Sequence, residues 1–297
     1  MSPLETLLPR IEHLLDRLEG APAPVINWKK THAARWIAET RSLRPIARPH
    51  RIESRHLLNI DEQKRKIDAN TRQFVAGKPA NNVLLTGARG TGKSSLVKAM
   101  LAKYAAKGLR LVELDKAGLA HLPELFDLLP QGPQRFILFC DDLSFTSDEP
   151  GYPALKAALD GSLSTPADNV LIYATSNRRH LMPEYMAENE SAHPALWDEF
   201  RRSQNGEAKH VGGEVHPGEA IEEKISLSER FGLWISFYPM DQDEYLSIAA
   251  HWARELGARD CQSEAFTRAA LQWSLGRGAR SGRTAWQFAR DWAGQGK

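Results

Sequence analysis

The chain has 297 residues, 42% hydrophobic and 26% charged, with a formal net charge of +2 and two cysteines. That is enough apolar material for one large core or two ordinary ones, and Cys140 and Cys261 stand too far apart to imply a disulfide framework or a zinc site. No apolar run approaches the roughly 18 residues of a membrane span, and acids run through MSPLETLLPRIEHLLDRLEG, unlike a secretory leader, so a cytoplasmic globular protein with no membrane partner is expected.

In chain order, Leu4, Leu7, Leu8, Ile11, Leu14, Leu15 and Leu18 recur at spacings of three and four, which predicts an amphipathic helix over residues 4–19, ended by Gly20 and APAP. Trp28 to Arg41 reads as a second helix, followed by a connector broken at Pro45 and Pro49. From Trp28 to His56, eight Lys/Arg stand against two acids. Interleaved with Trp28 and Trp36, that composition suits nucleic acid or an acidic protein surface, and it equally suits a solvated linker. Residues 1–56 are thus expected to form a helical extension and basic linker.

The next element carries chemistry. NVLLT precedes GARGTGKS, Gly87 to Ser94, and SLVKAMLAKYAAK follows, giving strand, loop and helix in the order of a phosphate loop. Glycines let backbone N–H groups turn toward a phosphate, and the helix brings its positive end to the anion. Gly87, Ala88, Arg89, Gly90, Thr91, Gly92, Lys93, Ser94 and Ser95 are therefore the expected nucleotide-binding residues. Lys93 would reach the β- and γ-phosphates and Ser94 would ligate Mg²⁺.

Strand-like runs then alternate with helical ones: LRLVELD from Leu109, a helix over Leu119 to Leu129, RFILFCDD from Arg135, a helix over Pro153 to Ser162, NVLIYATSN from Asn169, and FGLWISF from Phe231. The pattern predicts a largely parallel sheet between helices. RFILFCDD ends a buried strand on Asp141 and Asp142, the Walker B position. Asp141 would hold Mg²⁺, and Asp142 would polarise the attacking water. YATSN would bring Thr175, Ser176 or Asn177 beside the γ-phosphate if its strand lies between the other two, and Asn177 is the favoured sensor.

From Glu184 to Glu229, eleven acids stand against four bases, and residues 187–229 read as a polar insertion. His193, His210 and His216 fall there without companion cysteines or ordered acids, which argues against a metal site. From Asp241 onward the periodicity is helical throughout.

GARGTGKS, FILFCDD, YATSN and SERFGLW, in this order, resemble an AAA+ ATPase from Leu57 to the C-terminus. Within that superfamily, NNVLLTGARGTGKSSLVKA, ATSNRRHLMPEYM, EEKISLSERFGLWISFYPMDQDEYL and SGRTAWQFA resemble the bacterial family catalogued as domain of unknown function 815. The resemblance implies a three-layer αβα core with a mainly parallel sheet at residues 57–239 and a small all-α lid at 240–297.

It further implies that Arg230 is an arginine finger reaching a neighbouring subunit's nucleotide, with an ion pair to Glu229 or Glu223 as the structural alternative. Arg283 would be the lid's sensor arginine, Arg280 its competitor, and Ile60 with Leu58 would close over adenine. The leading expectation is a self-assembling Mg²⁺-ATPase that remodels a protein or nucleic-acid client. The alternative is a nucleotide-gated module that recruits nucleic acid or protein through its basic N-terminal segment.

Overall fold

The structure is a computed structural model that describes residues 26–145, 151–160, 168–177 and 229–296. The helix expected over residues 4–19, and all but the last residue of the stretch 187–229, lie outside these ranges.

Seven strands form one sheet: β1 (Ala33–Ile37), β2 (Ser42–Pro45), β3 (Val83–Gly87), β4 (Leu109–Leu114), β5 (Arg135–Cys140), β6 (Val170–Ser176) and β7 (Leu233–Phe237). Their order is β2-β1-β4-β5-β6-β3-β7, and only the β1–β2 pair is antiparallel. Among the described residues, the helices between strands are α1 (Asp61–Val75), α2 (Lys93–Tyr104), α3 (Leu122–Leu128) and α4 (Gly151–Asp160). A 3-10 turn over Ala117–His121 takes the first part of the helix expected from Leu119.

The alternation of side chains along each strand sorts the core into two layers. Leu84, Phe136, Leu138 and Ile172 pack against Leu122 and Leu125 of α3 and Leu155 of α4. Val83, Leu85, Ile137 and Phe139 pack on the opposite face against Ile67 of α1 and Leu96, Val97 and Met100 of α2. A third cluster belongs to the lid, α5 (Gln242–Glu255), α6 (Glu264–Gly276) and α7 (Gly282–Gly294), around Tyr245, Phe266 and Phe288. Each lid helix starts on a side-chain cap: Asp241 for α5 with a reciprocal Glu244 box, Ser263 for α6 and Ser281 for α7.

The helix expected over Trp28 to Arg41 is not there; β1 occupies that stretch instead, and β2 follows directly after it. β1 is drawn into the sheet by parallel pairing with β4, which a local reading of periodicity does not contain. Ala34 and Trp36 point into the core while Arg35 points out and pairs with Glu113 at 2.7 Å. Trp28 is buried too, edge-on to Phe136 with ring centroids 5.0 Å apart. Buried Arg110 fastens this segment by donating from Nε to the Trp28 carbonyl at 2.6 Å and from Nη1 to the Ala105 and Leu109 carbonyls.

The two tryptophans are therefore core residues and not stacking platforms for bases. Trp36→Ala is expected to destabilise the protein by about 3–5 kcal/mol, measured by urea unfolding. A loss below about 1 kcal/mol, typical of a surface position, would contradict the buried strand.

Cys140 lies in β5 and is buried, and burial together with the neighbouring Asp141 pushes its thiol up to about 12. Only a thiolate attacks alkylating reagents. Cys140 is expected to stay unlabelled at neutral pH until denaturant is added, which mass spectrometry of iodoacetamide-treated protein checks.

Candidate functional site

The register of three parallel strands assembles the site. β6 lies between β3 and β5, with Thr86 opposite Ser176 and Cys140 opposite Ala174. The phosphate loop, the paired acids and Asn177 thus leave neighbouring strands at the same, C-terminal edge of the sheet, where open α/β folds bind ligands. This is the arrangement on which the expectation for YATSN depends.

Gly87 and Gly92 have φ values of 128° and 100°, accessible to glycine at little cost. A Cβ on Gly87 would stand 1.9 Å from the Phe237 carbonyl oxygen, so the loop must leave β3 hard against β7. α2 begins at Lys93, directly after the loop.

Lys93 is turned back into the loop. Its ammonium donates to the Gly87 and Ala88 carbonyls, both at 2.7 Å, and to Asn177 Oδ1 at 3.0 Å. Burial lowers its pKa, offset in part by the charges of Asp141 and Asp142 and reinforced by that of Arg89. A phosphate arriving here brings the opposite charge that three neutral oxygens do not.

Asp141 Oδ1 accepts hydrogen bonds from Ser94 Oγ at 2.5 Å and from Thr175 Oγ1 at 2.6 Å. Thr175 Oγ1 in turn accepts from the Asp142 backbone N–H at 2.9 Å. Thr175 therefore acts on the acids, Ser176 is buried in the strand, and Asn177 is the member of YATSN that reaches Lys93. Asn177 Nδ2 also donates to Asp142 Oδ1, and Arg89 stands 3.6 Å from Asp142 Oδ2. Asp142 has a φ of 56°, a left-handed conformation that Asp and Asn tolerate better than other side chains, and this swings its carboxylate over the loop. A hydroxyl beside a carboxylate is an all-oxygen donor pair of the kind Mg²⁺ takes.

These residues line a cleft of about 1180 Å³ that extends between the core and the lid. Arg89, Gly90, Thr91, Gly92, Lys93, Ser94 and Ser95 form one end with Asp141, Asp142, Thr175 and Asn177. Leu58, Ile60, Met240, Ile248, Trp252 and Trp286 make the other end apolar and aromatic. Ile60 Cδ1 would lie 3.6 Å from a Cβ on Gly92, so the position expected beside adenine adjoins the loop. The lid touches the loop directly: the Gly282 N–H donates to the Gly90 carbonyl at 2.8 Å. Arg283 follows and lines the cleft, whereas exposed Arg280 does not.

Arg230 stands apart from the residues lining this cleft. Its Nε donates to Asp160 Oδ1 at the end of α4 at 2.5 Å. Sequence reasoning had no reason to choose this acid, since 70 residues separate the two, and Glu223, one of the expected partners, lies outside the described residues. Trp252, Trp286, Met240 and His56 were likewise not foreseen in the cleft. Trp286 alone carried a signal, being three residues from Arg283 on the last helix.

No curated protein matches the chain significantly. Among solved structures, a variant of RuvB from Thermotoga maritima is 14% identical, with a TM-score of 0.48 over 78% of this chain and 61% of that one. This chain thus spans less than two thirds of that relative. The T. maritima RuvB Holliday junction branch migration motor gives a TM-score of 0.41 at 14% identity, over 80% and 71% of the two chains. A chain from the E. coli MS115-1 HORMA:CdnC:Trip13 complex gives 0.44 at 14% identity, over 80% and 89%. Residues 29–296, which hold every described strand, the cleft and the lid, match the model of the family described as protein of unknown function DUF815, and the chain belongs to that family.

Proposed function

We propose that the protein is an ATPase of the AAA+ class, holding Mg²⁺-ATP in the cleft between core and lid. One observation carries the reading: Lys93, Ser94, Asp141, Asp142 and Asn177, which follow the ends of three neighbouring strands, meet with Thr175 in one hydrogen-bonded cluster beside the phosphate loop.

The loop N–H groups and Lys93 bind the phosphates. Ser94 and Asp141 would hold Mg²⁺, which when bound neutralises charge on the β- and γ-oxygens. Asp142, presented at the left-handed turn after β5, takes a proton from the attacking water, and Asn177 fixes that carboxylate and Lys93 relative to each other. A γ-phosphate that draws Arg89 to itself would free Asp142 Oδ2 for the water, while Asn177 keeps hold of Oδ1. Ile60, Leu58, Trp252 and Trp286 give the base an apolar, aromatic seat. Arg283 reaches the phosphates from the lid.

Arg230 serves the nucleotide of a neighbouring subunit, so assembly through the nucleotide site completes catalysis. Its position outside its own cleft supports that assignment. Hydrolysis then drives a change in an oligomer that acts on a protein or nucleic-acid client. The alternative, a nucleotide-gated module recruiting nucleic acid or protein through its basic N-terminal segment, loses the base-stacking part of its support because Trp28 and Trp36 are buried.

Steady-state hydrolysis over a protein concentration series tests the reading. Turnover per subunit should rise with concentration. Tight ATP binding with flat, negligible turnover would overturn it.

A further inference from the structure

A second set of side chains, away from Lys93 and the paired acids, is arranged to hold a cation. His56 ends the 3-10 turn Ser54–His56 before α1, and His251 and Glu255 sit four residues apart on α5, hence on one helix face. Among the described residues these form a group of three metal-ligating side chains whose ligand atoms all lie within 4.8 Å of one another. His56 Nδ1 and His251 Nε2 are 2.9 Å apart, and Glu255 Oε2 is 4.0 Å from His56 Nδ1. Two imidazole nitrogens bound at about 2.0–2.1 Å to one tetrahedral zinc stand roughly 3.3 Å apart. A small outward rotation of the rings admits an ion.

We propose that His56, His251 and Glu255 form a site for a divalent transition metal of the zinc class, tying the turn before the core to the lid. Two imidazoles and one carboxylate select zinc-like ions over Mg²⁺ or Ca²⁺, unlike the all-oxygen pair of Ser94 and Asp141. The ring of His56 is held in place by stacking on Trp252, with centroids 4.9 Å apart, and Trp252 stacks on Trp286 at 5.6 Å. The His56 side chain is 12% exposed and that of Glu255 44%, so the carboxylate is free to turn and the ion has a route in.

Two cations oppose the site, but both are exposed and engaged: Arg55 pairs with Glu53 at 2.9 Å and Arg254 Nε donates to the Ala250 carbonyl. His56 and Trp252 both line the nucleotide cleft. An ion bridging the turn to α5 would therefore set how the lid closes the apolar end.

The test is titration of the full-length, tag-free protein, stripped with chelator, using Zn²⁺ in a calorimeter and Co²⁺ by visible absorption. One equivalent should bind, and Co²⁺ should give the intense d–d bands of a four-coordinate site. His251→Gln should abolish those bands. Glu255→Gln, at an exposed position that leaves the fold intact, should weaken binding by at least the roughly 10–100-fold that loss of an outer-shell partner costs. The proposal is overturned if wild type takes up no stoichiometric metal. It is equally overturned if Glu255→Gln and a folded His251→Gln protein, checked by circular dichroism, bind as wild type does; the histidines are then a hydrogen-bonded pair alone.

Discussion

Asp142→Asn is expected to lower ATP hydrolysis by about 10²–10⁴-fold while ATP binding stays near wild type. Asn keeps the shape of Asp and tolerates a φ of 56°, so the turn after β5 is preserved. Its amide oxygen still accepts from Asn177, but the carboxylate proposed as general base is gone. The ion pair to Arg89 also goes; with the two side chains 78% and 56% exposed, it contributes about 0–1 kcal/mol at most. Turnover measured beside fluorescent-nucleotide binding separates the two quantities. If binding and turnover fell together, Asp142 would be shaping the pocket and not activating water.

Arg230→Ala is expected to cost more, about 10³–10⁵-fold in turnover, the range for an arginine finger, again with binding spared. The Asp160 pair makes a control necessary, because removing Arg230 also strands an acid. Asp160→Asn breaks the pair yet keeps the guanidinium, so it should retain activity. Should Asp160→Asn lose as much as Arg230→Ala, the arginine is structural. A mixture of Arg230→Ala and Asp142→Asn proteins sharpens the result. If the site is shared as proposed, each variant lacks a different half of it, so mixing should restore turnover that neither shows alone.

Strands whose signal is local were legible in the sequence. VLLTG, RFILFC and VLIYATS are short apolar runs with turn residues at their ends, and each became a strand within a residue or so of the expected bounds. The three lid helices followed from periodicity in the same way. β1 was not legible, because AARWI buries its tryptophan only once β4 lies beside it, and its alanines and tryptophan fit a helical spacing equally well.

The site divides similarly. Motif residues announce themselves because phosphate chemistry restricts which residue types work at each place. Partners chosen by proximity alone do not: Asp160 for Arg230, Thr175 for Asp141, His251 for His56. Nothing in the composition around either member points to the other.

The hydrogen bond from the Gly282 N–H to the Gly90 carbonyl makes the first residue of the last helix a neighbour of the phosphate loop. Any ligand that reshapes the loop therefore changes the free energy of lid docking, and by linkage the lid changes that ligand's affinity by the same factor. A client that pulls on the lid would read the nucleotide state and, with equal strength, write it.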